Sequence, residues 1–187
     1  PSRRVPAGLP PSLASVDRTL VMAVLNVTPD SFSDGGRFLD ADRAVERALH
    51  QMRLGADLID VGGESTRPGA ERISVDEELS RVVPVIEALV REEVPVSIDS
   101  MRAEVARAAV TAGAVLVNDV SGGLADAAML PYVAWVGVPV VLMHWRGDSQ
   151  QMHLRARYPG GVVQEVAQEL SDRLAAAVAA GVEAERV

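Results

Sequence analysis

Short, nearly all-apolar runs of three to six residues recur along this chain, each followed by a stretch with the apolar period of a helix. The runs are Leu20–Leu25, Leu58–Val61, Val94–Ile98, Val115–Val117 and Val138–Met143. Unbroken apolar runs of that length suit parallel strands that are covered on both faces, since a half-solvated strand would alternate polar and apolar residues. Parallel neighbours in turn require crossover helices, so the pattern predicts βα repeated five times.

The helical stretches carry their own punctuation. The first places Ala44, Val45, Ala48, Leu49 and Met52 on one face, with Asp40 or Asp42 expected to cap it and Gly55 to stop it. The second opens on Ser74 and Glu77, the spacing of a capping box, and turns Leu79, Val82, Val83, Ile86 and Leu89 inward; Pro84 within it predicts a kink. A third starts near Met101 and ends at Gly113, and a fourth covers about 126–136 before Gly137. The fifth is expected to bury Val162, Val163, Val166, Leu170, Leu174 and Val178 before Gly181. Residues 1–18 carry four of the eleven prolines and no period, which reads as a loose, flexible lead-in, leaving 19–187 as the folded domain.

Right-handed βα units leave an open doubly wound sheet or a (βα)8 TIM barrel. No G-x-G-x-x-G follows the first run, as a dinucleotide-binding open sheet would normally show. Instead polar residues stand at the end of run after run: Asn26, Glu64 with Thr66 and Arg67, Asp99, Asn118 with Asp119, and His144. Barrels assemble their sites from many strand ends, so an α/β barrel is the better reading. A complete barrel needs about 250 residues and eight strands. The 187 residues hold about five βα units, so the chain reads as part of a longer protein.

Composition removes several chemistries. There is no cysteine, hence no thiolate nucleophile or disulfide framework. All 18 basic residues are arginine, so no lysine is present to form a Schiff base or a Walker-type phosphate contact. The net charge of −8 argues against a non-specific grip on nucleic acid or anionic lipid. No apolar run approaches the roughly 20 residues of a membrane span and no signal-peptide core opens the chain, which reads as soluble and cytoplasmic. The three histidines share no i,i+4 spacing, so a His-rich metal site is not expected, and no catalytic His–carboxylate dyad is evident.

Four segments carry the chemistry. The loop after Leu25 (Asn26-Val27-Thr28-Pro29-Asp30-Ser31-Phe32-Ser33-Asp34-Gly35-Gly36) is dense in hydrogen-bonding groups and hinged by two glycines. In Asp60-Val61-Gly62-Gly63-Glu64-Ser65-Thr66-Arg67-Pro68-Gly69, freed backbone amides, the Thr66 hydroxyl and the Arg67 fork suit an anionic or carbonyl group. Asp99 ends an apolar run in Ser97-Ile98-Asp99-Ser100; a carboxylate there needs donors, from a ligand or from the helix it would otherwise cap. Asn118, in Asn118-Asp119-Val120-Ser121-Gly122-Gly123, both donates and accepts, which suits the edge of a heterocycle.

Taken together, LNVTPDSFSDGG, DVGGESTRPGA, SIDS and NDVSGG, with LMHWRG at Leu142–Gly147, resemble the dihydropteroate synthases of the pterin-binding barrel family, over about residues 20–187. The resemblance implies a Mg2+-dependent transferase of folate biosynthesis and a sulfonamide target. Such an enzyme condenses 7,8-dihydropterin-6-ylmethyl diphosphate with 4-aminobenzoate, giving 7,8-dihydropteroate and diphosphate. It implies that Asn26 is the metal-associated residue and that Thr66, Asp99 and Asn118 bind the pterin diphosphate. Arg67, Asp30, Phe32 and Ser33 would help form the aminobenzoate end, and Met143 would pack on the pterin; Asp99 and Arg67 are the catalytic candidates. It also implies a homodimer that binds neither nucleic acid nor membrane. The family's later motifs, with an Asp-Pro-Gly strand end, a Ser-Arg-Lys segment and an Arg-x-His segment, have no match in the 187 residues, so weak or no turnover by this chain alone is expected. Two alternatives remain open at this stage. One is the folate-binding module of a methyltetrahydrofolate-dependent methyltransferase, the other an inactive or truncated paralogue that serves as a binding or assembly module.

Overall fold

In the computed structural model the described residues are 5–28, 37–65, 72–147 and 156–187, with 37–40 described by backbone alone. Five strands, β1 (Met22–Asn26), β2 (Leu58–Gly62), β3 (Val96–Asp99), β4 (Leu116–Asp119) and β5 (Val140–Leu142), pair in parallel in the spatial order β1-β2-β3-β4-β5. Sequential order is the diagnostic point. A doubly wound sheet reverses direction at a switch point, whereas a barrel wall adds each strand beside the last.

The crossover helices lie side by side on one face: α2 (Arg37–Arg53), α3 (Val75–Arg91), α4 (Ala103–Thr111), α5 (Met129–Val136) and α6 (Val162–Ala179), each against its neighbour or the strands beside it. Alternate strand residues Leu25, Ile59, Val61, Val96, Ile98, Val117 and Val140 point at them and form the main core with Val82, Ile86, Leu89 and Val105. The other residues of each strand line the inner face. Ser74 caps α3 as its spacing predicts, its Oγ accepting from the Glu77 amide at 3.2 Å, and Pro84 sits inside the continuous helix. Gly55, Gly113, Gly137 and Gly181 follow their helices at positive φ, the left-handed turn a Cβ disfavours.

Three expectations are corrected. Helix α2 is described from Arg37, so Asp40 and Asp42 lie within it instead of capping it. Residues 5–18, read as a loose lead-in, include the one-turn helix α1 (Pro11–Ala14). Its Leu13 is 2% exposed and packs with Leu58 and Leu116 on the inner face at the N-terminal ends of the strands. The apolar stripe expected to be inward on α6 largely faces out, with Val163 77% and Val178 48% exposed and Ala177 buried. Among the described residues no strand follows β5 to receive that stripe, and β1 and β5 each pair on one side alone.

Candidate active site

The last residues of the strands set the geometry. Register places Asn26 beside Gly62, Gly62 beside Asp99, Asp99 beside Asn118 and Asn118 beside Val141. Neighbouring strands are spaced about 4.8 Å apart and register partners point to the same side, so this row crosses the inner face at one level. Gly62 keeps the middle of the row open. A Cβ built on it would stand 3.3 Å from Asp99 Oδ2 and 3.5 Å from Asn26 Oδ1, so the two oxygens flank a gap that any side chain would fill. Met143 extends the row. Its amide donates to the Asp119 carbonyl at 3.3 Å, the period of two puts it on the face of Val141, and its side chain is exposed.

Asn26, Asp99, Asn118 and Met143 are thus brought together on one rim. Thr66, Arg67, Asp30, Phe32 and Ser33 lie outside the described residues.

One level below the row lies Asp60, a member the sequence reading missed. It is buried on the inner face, and its Oδ2 accepts from Asn118 Nδ2 at 2.8 Å. A carboxylate can only accept, so this bond turns the amide NH2 of Asn118 inward and leaves its carbonyl oxygen for another partner. Asp60 Oδ1 has no hydrogen-bond partner; the neighbouring Ser97 hydroxyl favours the charged carboxylate electrostatically without closing a bond of full geometry. Burial nonetheless outweighs both neighbours and pushes the Asp60 carboxyl up. The only sequence signal was an acidic residue inside an otherwise apolar run.

The Asp99 carboxyl is pushed up to about 7, first by burial and then by the negative charges of Asp60, Glu78, Asp119 and Glu64. It is therefore a desolvated carboxyl among acids, poised to ionise once a donor or positive charge arrives. Asp119, next to Asn118, is spent on structure. It accepts from Ser121 N at 2.8 Å, Ser121 Oγ at 2.7 Å and Gly123 N at 2.7 Å, which closes the turn after β4.

A second cluster stands where β5 exits. His144 Nε2 is 2.8 Å from Glu169 Oε2 of α6, a His–carboxylate contact between residues too far apart in sequence for spacing to reveal. Arg146 pairs with Glu165 (2.6 Å) and Glu169 and lies 4.0 Å over the Tyr158 ring. Its guanidinium is the main reason both glutamates are held below the ordinary carboxylate range. The partners are about 20 residues apart, beyond any helical spacing. Among the described residues no group of three or more His, Cys, Asp or Glu side chains could hold a metal ion, and no helix is long and apolar enough to cross a membrane.

Comparison with known proteins gives the family. The family model described as "Pterin binding enzyme" matches residues 22–187. The dihydropteroate synthase of Mycobacterium leprae is 54% identical over 172 residues, covering 92% of this chain and 60% of that protein. A structure of Xanthomonas albilineans dihydropteroate synthase with 4-aminobenzoic acid superposes with a TM-score of 0.82 at 49% identity, covering 91% of this chain and 60% of that one. The Yersinia pestis dihydropteroate synthase in a sulfonamide complex gives 0.84 at 40% identity, covering 97% and 65%. The chain thus spans about 60% of the length of these relatives, as five βα units of a TIM barrel do. The sequential sheet, the polar row at its rim and these matches agree, and the chain belongs to the pterin-binding enzyme family.

Proposed function

We propose that this chain carries the pterin-binding wall of a dihydropteroate synthase, which joins 7,8-dihydropterin-6-ylmethyl diphosphate to 4-aminobenzoate with release of diphosphate. The observation that supports it most is the gap at Gly62, with Asn26 and Asp99 oxygens on either side and Asn118 one strand further along the same row. A planar heterocycle lying across this row meets an acceptor at Asp99 and, at Asn118, a carbonyl oxygen turned toward it by Asp60. Ring N–H donors facing Asp99 favour its carboxylate, so ligand binding draws a proton off a group that otherwise titrates near 7.

Carbon–oxygen cleavage builds positive charge on the methylene carbon beside the ring and negative charge on the departing diphosphate. The fixed carboxylate of Asp99 favours the former through the ring nitrogens. The arylamine is a weak nucleophile, so an activated electrophile matters more than a strong base. Thr66 and Arg67 are assigned to the anion and the aminobenzoate end, with Asp30, Phe32 and Ser33, on the resemblance alone; Met143 is assigned to the ring face. Met143 stands exposed on the row, ready for such a contact.

Mg2+ takes oxygen ligands and commonly keeps one or two from the protein, with substrate phosphates and water filling the rest. The donor set fits that habit. Asn26 Oδ1 borders the gap and is an oxygen donor of that kind. Asn26 would hold the ion, which when bound offsets charge on the diphosphate. A cytoplasmic location and a homodimer complete the proposal, both carried by family likeness.

Titration calorimetry tests the reading. The chain is expected to bind the dihydropterin diphosphate in preference to methyltetrahydrofolate, and to turn over with 4-aminobenzoate far below a full-length relative. Preference for methyltetrahydrofolate would transfer the site to the methyltransferase class, and binding of neither would leave the assembly-module reading.

A further inference from the structure

Strand β5 is three residues long, and Met143 stands just beyond its last residue. Its amide reaches the Asp119 carbonyl across a long hydrogen bond of 3.3 Å. The turn after β4 crowds it from one side. A Cβ built on Gly122, at φ +62°, would stand 2.8 Å from the Met143 carbonyl oxygen and 3.2 Å from Arg173 Cγ of α6. The ladder thus runs out at Met143, and the rest of the hold on this chain end comes from α6.

That hold converges on one carboxylate. Glu169, about two turns into α6, meets His144 Nε2 at 2.8 Å through Oε2 and accepts from Arg146 Nε at 3.0 and 3.1 Å on its two oxygens. Arg146 is steadied in turn: Nη2 donates to Glu165 Oε2 at 2.6 Å, Nη1 donates to the Arg157 carbonyl, and the guanidinium lies over the Tyr158 ring. Glu165 also accepts from the Gly160 amide at 2.5 Å, just before the helix starts. One helix side chain therefore fastens the first and third residues after Met143. Ion pairs this open to solvent add little to stability, but a forked arginine–carboxylate pair fixes orientation.

We propose that Glu169 is a positioning residue: by taking His144 and Arg146 together it fixes the chain leaving β5, so that Met143 stays on the row of Asn26, Asp99 and Asn118 and lies against the face of a ring bound there. The ring contact rests on the pterin reading above; the placing of Met143 does not. Methionine is an adaptable side chain, and it gains contact cheaply only when its backbone is already held where the ring will lie.

Two measurements on the 187-residue chain test this, using Glu169→Ala, Met143→Ala and the double variant. Glu169 is partly exposed on a helix, and its removal leaves Arg146 paired with Glu165, so the variant opens no core and strands no charge. Without ligand, Glu169→Ala is expected to speed hydrogen exchange of the Met143 amide by about tenfold while the Val117 amide, which donates to the Pro139 carbonyl at 3.1 Å at the start of β5, stays unchanged. Equal acceleration at both amides, or none at either, overturns the proposal. With dihydropterin as probe, Met143→Ala is expected to weaken binding about tenfold and Glu169→Ala about threefold, with the double variant no weaker than Met143→Ala alone. Losses that multiply, or a Met143→Ala chain that binds as wild type does, overturn it, because Glu169 would then act otherwise than through Met143. Wild-type chain that takes up no dihydropterin overturns the pterin reading and the ring contact with it, while the exchange result still decides whether Glu169 fixes Met143.

Discussion

The two ends of the same five strands are built for opposite purposes. At the N-terminal end the inner face is apolar. Leu13, Leu58 and Leu116 close on one another with Leu9, Leu20 and Met22 beside them, around a cavity of about 360 Å³. At the C-terminal end the inner face of β1 to β4 turns polar and gathers Asn26, Asp99, Asn118 and the buried Asp60, while β5 presents Val141. The base gains stability from apolar contacts among these leucines; the rim retains desolvated acids that the fold alone does not need. The comparison therefore predicts that changes at the base alter stability and spare binding, and that changes at the rim do the reverse.

Leu13→Ala is the largest expected stability effect. It removes a buried side chain and is predicted to cost about 2–5 kcal/mol in chemical denaturation with no change in pterin affinity. A weakened pterin affinity in the still-folded variant would erase the distinction between the two ends. Asp99→Asn comes next, expected to lower pterin affinity by about a hundredfold, since an amide cannot accept from two ring donors. Retained affinity within a few-fold would take Asp99 out of the ring contact, since Arg102 and not Asp99 is the N-cap of α4.

The same variant sharpens the comparison through pH. The folded pKa of Asp99 is raised to about 7 from an ordinary 3.8. The stability tied to its protonated form is therefore fully present below the unfolded value and is lost as pH rises through about 7. Asp99→Asn is thus expected to unfold at a higher temperature than wild type at pH 8 and at nearly the same temperature at pH 4; a variant less stable at pH 8 would contradict it. Ser74→Ala, which deletes the cap of α3, has the smallest effect. It is expected to cost about 1 kcal/mol in denaturant and nothing in ring binding.

How much of this was legible in the chain follows from the range of each interaction. Apolar runs and helix stops act over a few residues, so the βα order, the stopping glycines and the Ser74 cap could be read directly. Strand limits shifted where long-range packing decided them. The run Leu20–Leu25 became β1 at Met22–Asn26 because Leu20 packs with Leu13 at the base instead of joining the ladder, and Asn26, expected at the strand's exit, is its last rung. Asp99 and Asn118 were visible for the same local reason, as polar residues ending apolar runs. Asp60 and Glu169 were not, because their meaning lies in partners 58 and 25 residues away. The outward stripe of α6 failed as an inward expectation because periodicity identifies an apolar face without saying what stands opposite it.

One titration tests the central claim most directly: that Asn26, Asp99 and Asn118 share one ligand. Dihydropterin diphosphate is added to chain labelled for NMR at both the Asn side-chain amides and the Leu methyls. The account predicts that the Asn26 and Asn118 amide signals shift together, saturating at one ligand concentration, while the methyls of Leu13, Leu58 and Leu116 stay where they were. Shifts confined to those methyls, or amide signals that saturate at different concentrations, would contradict it.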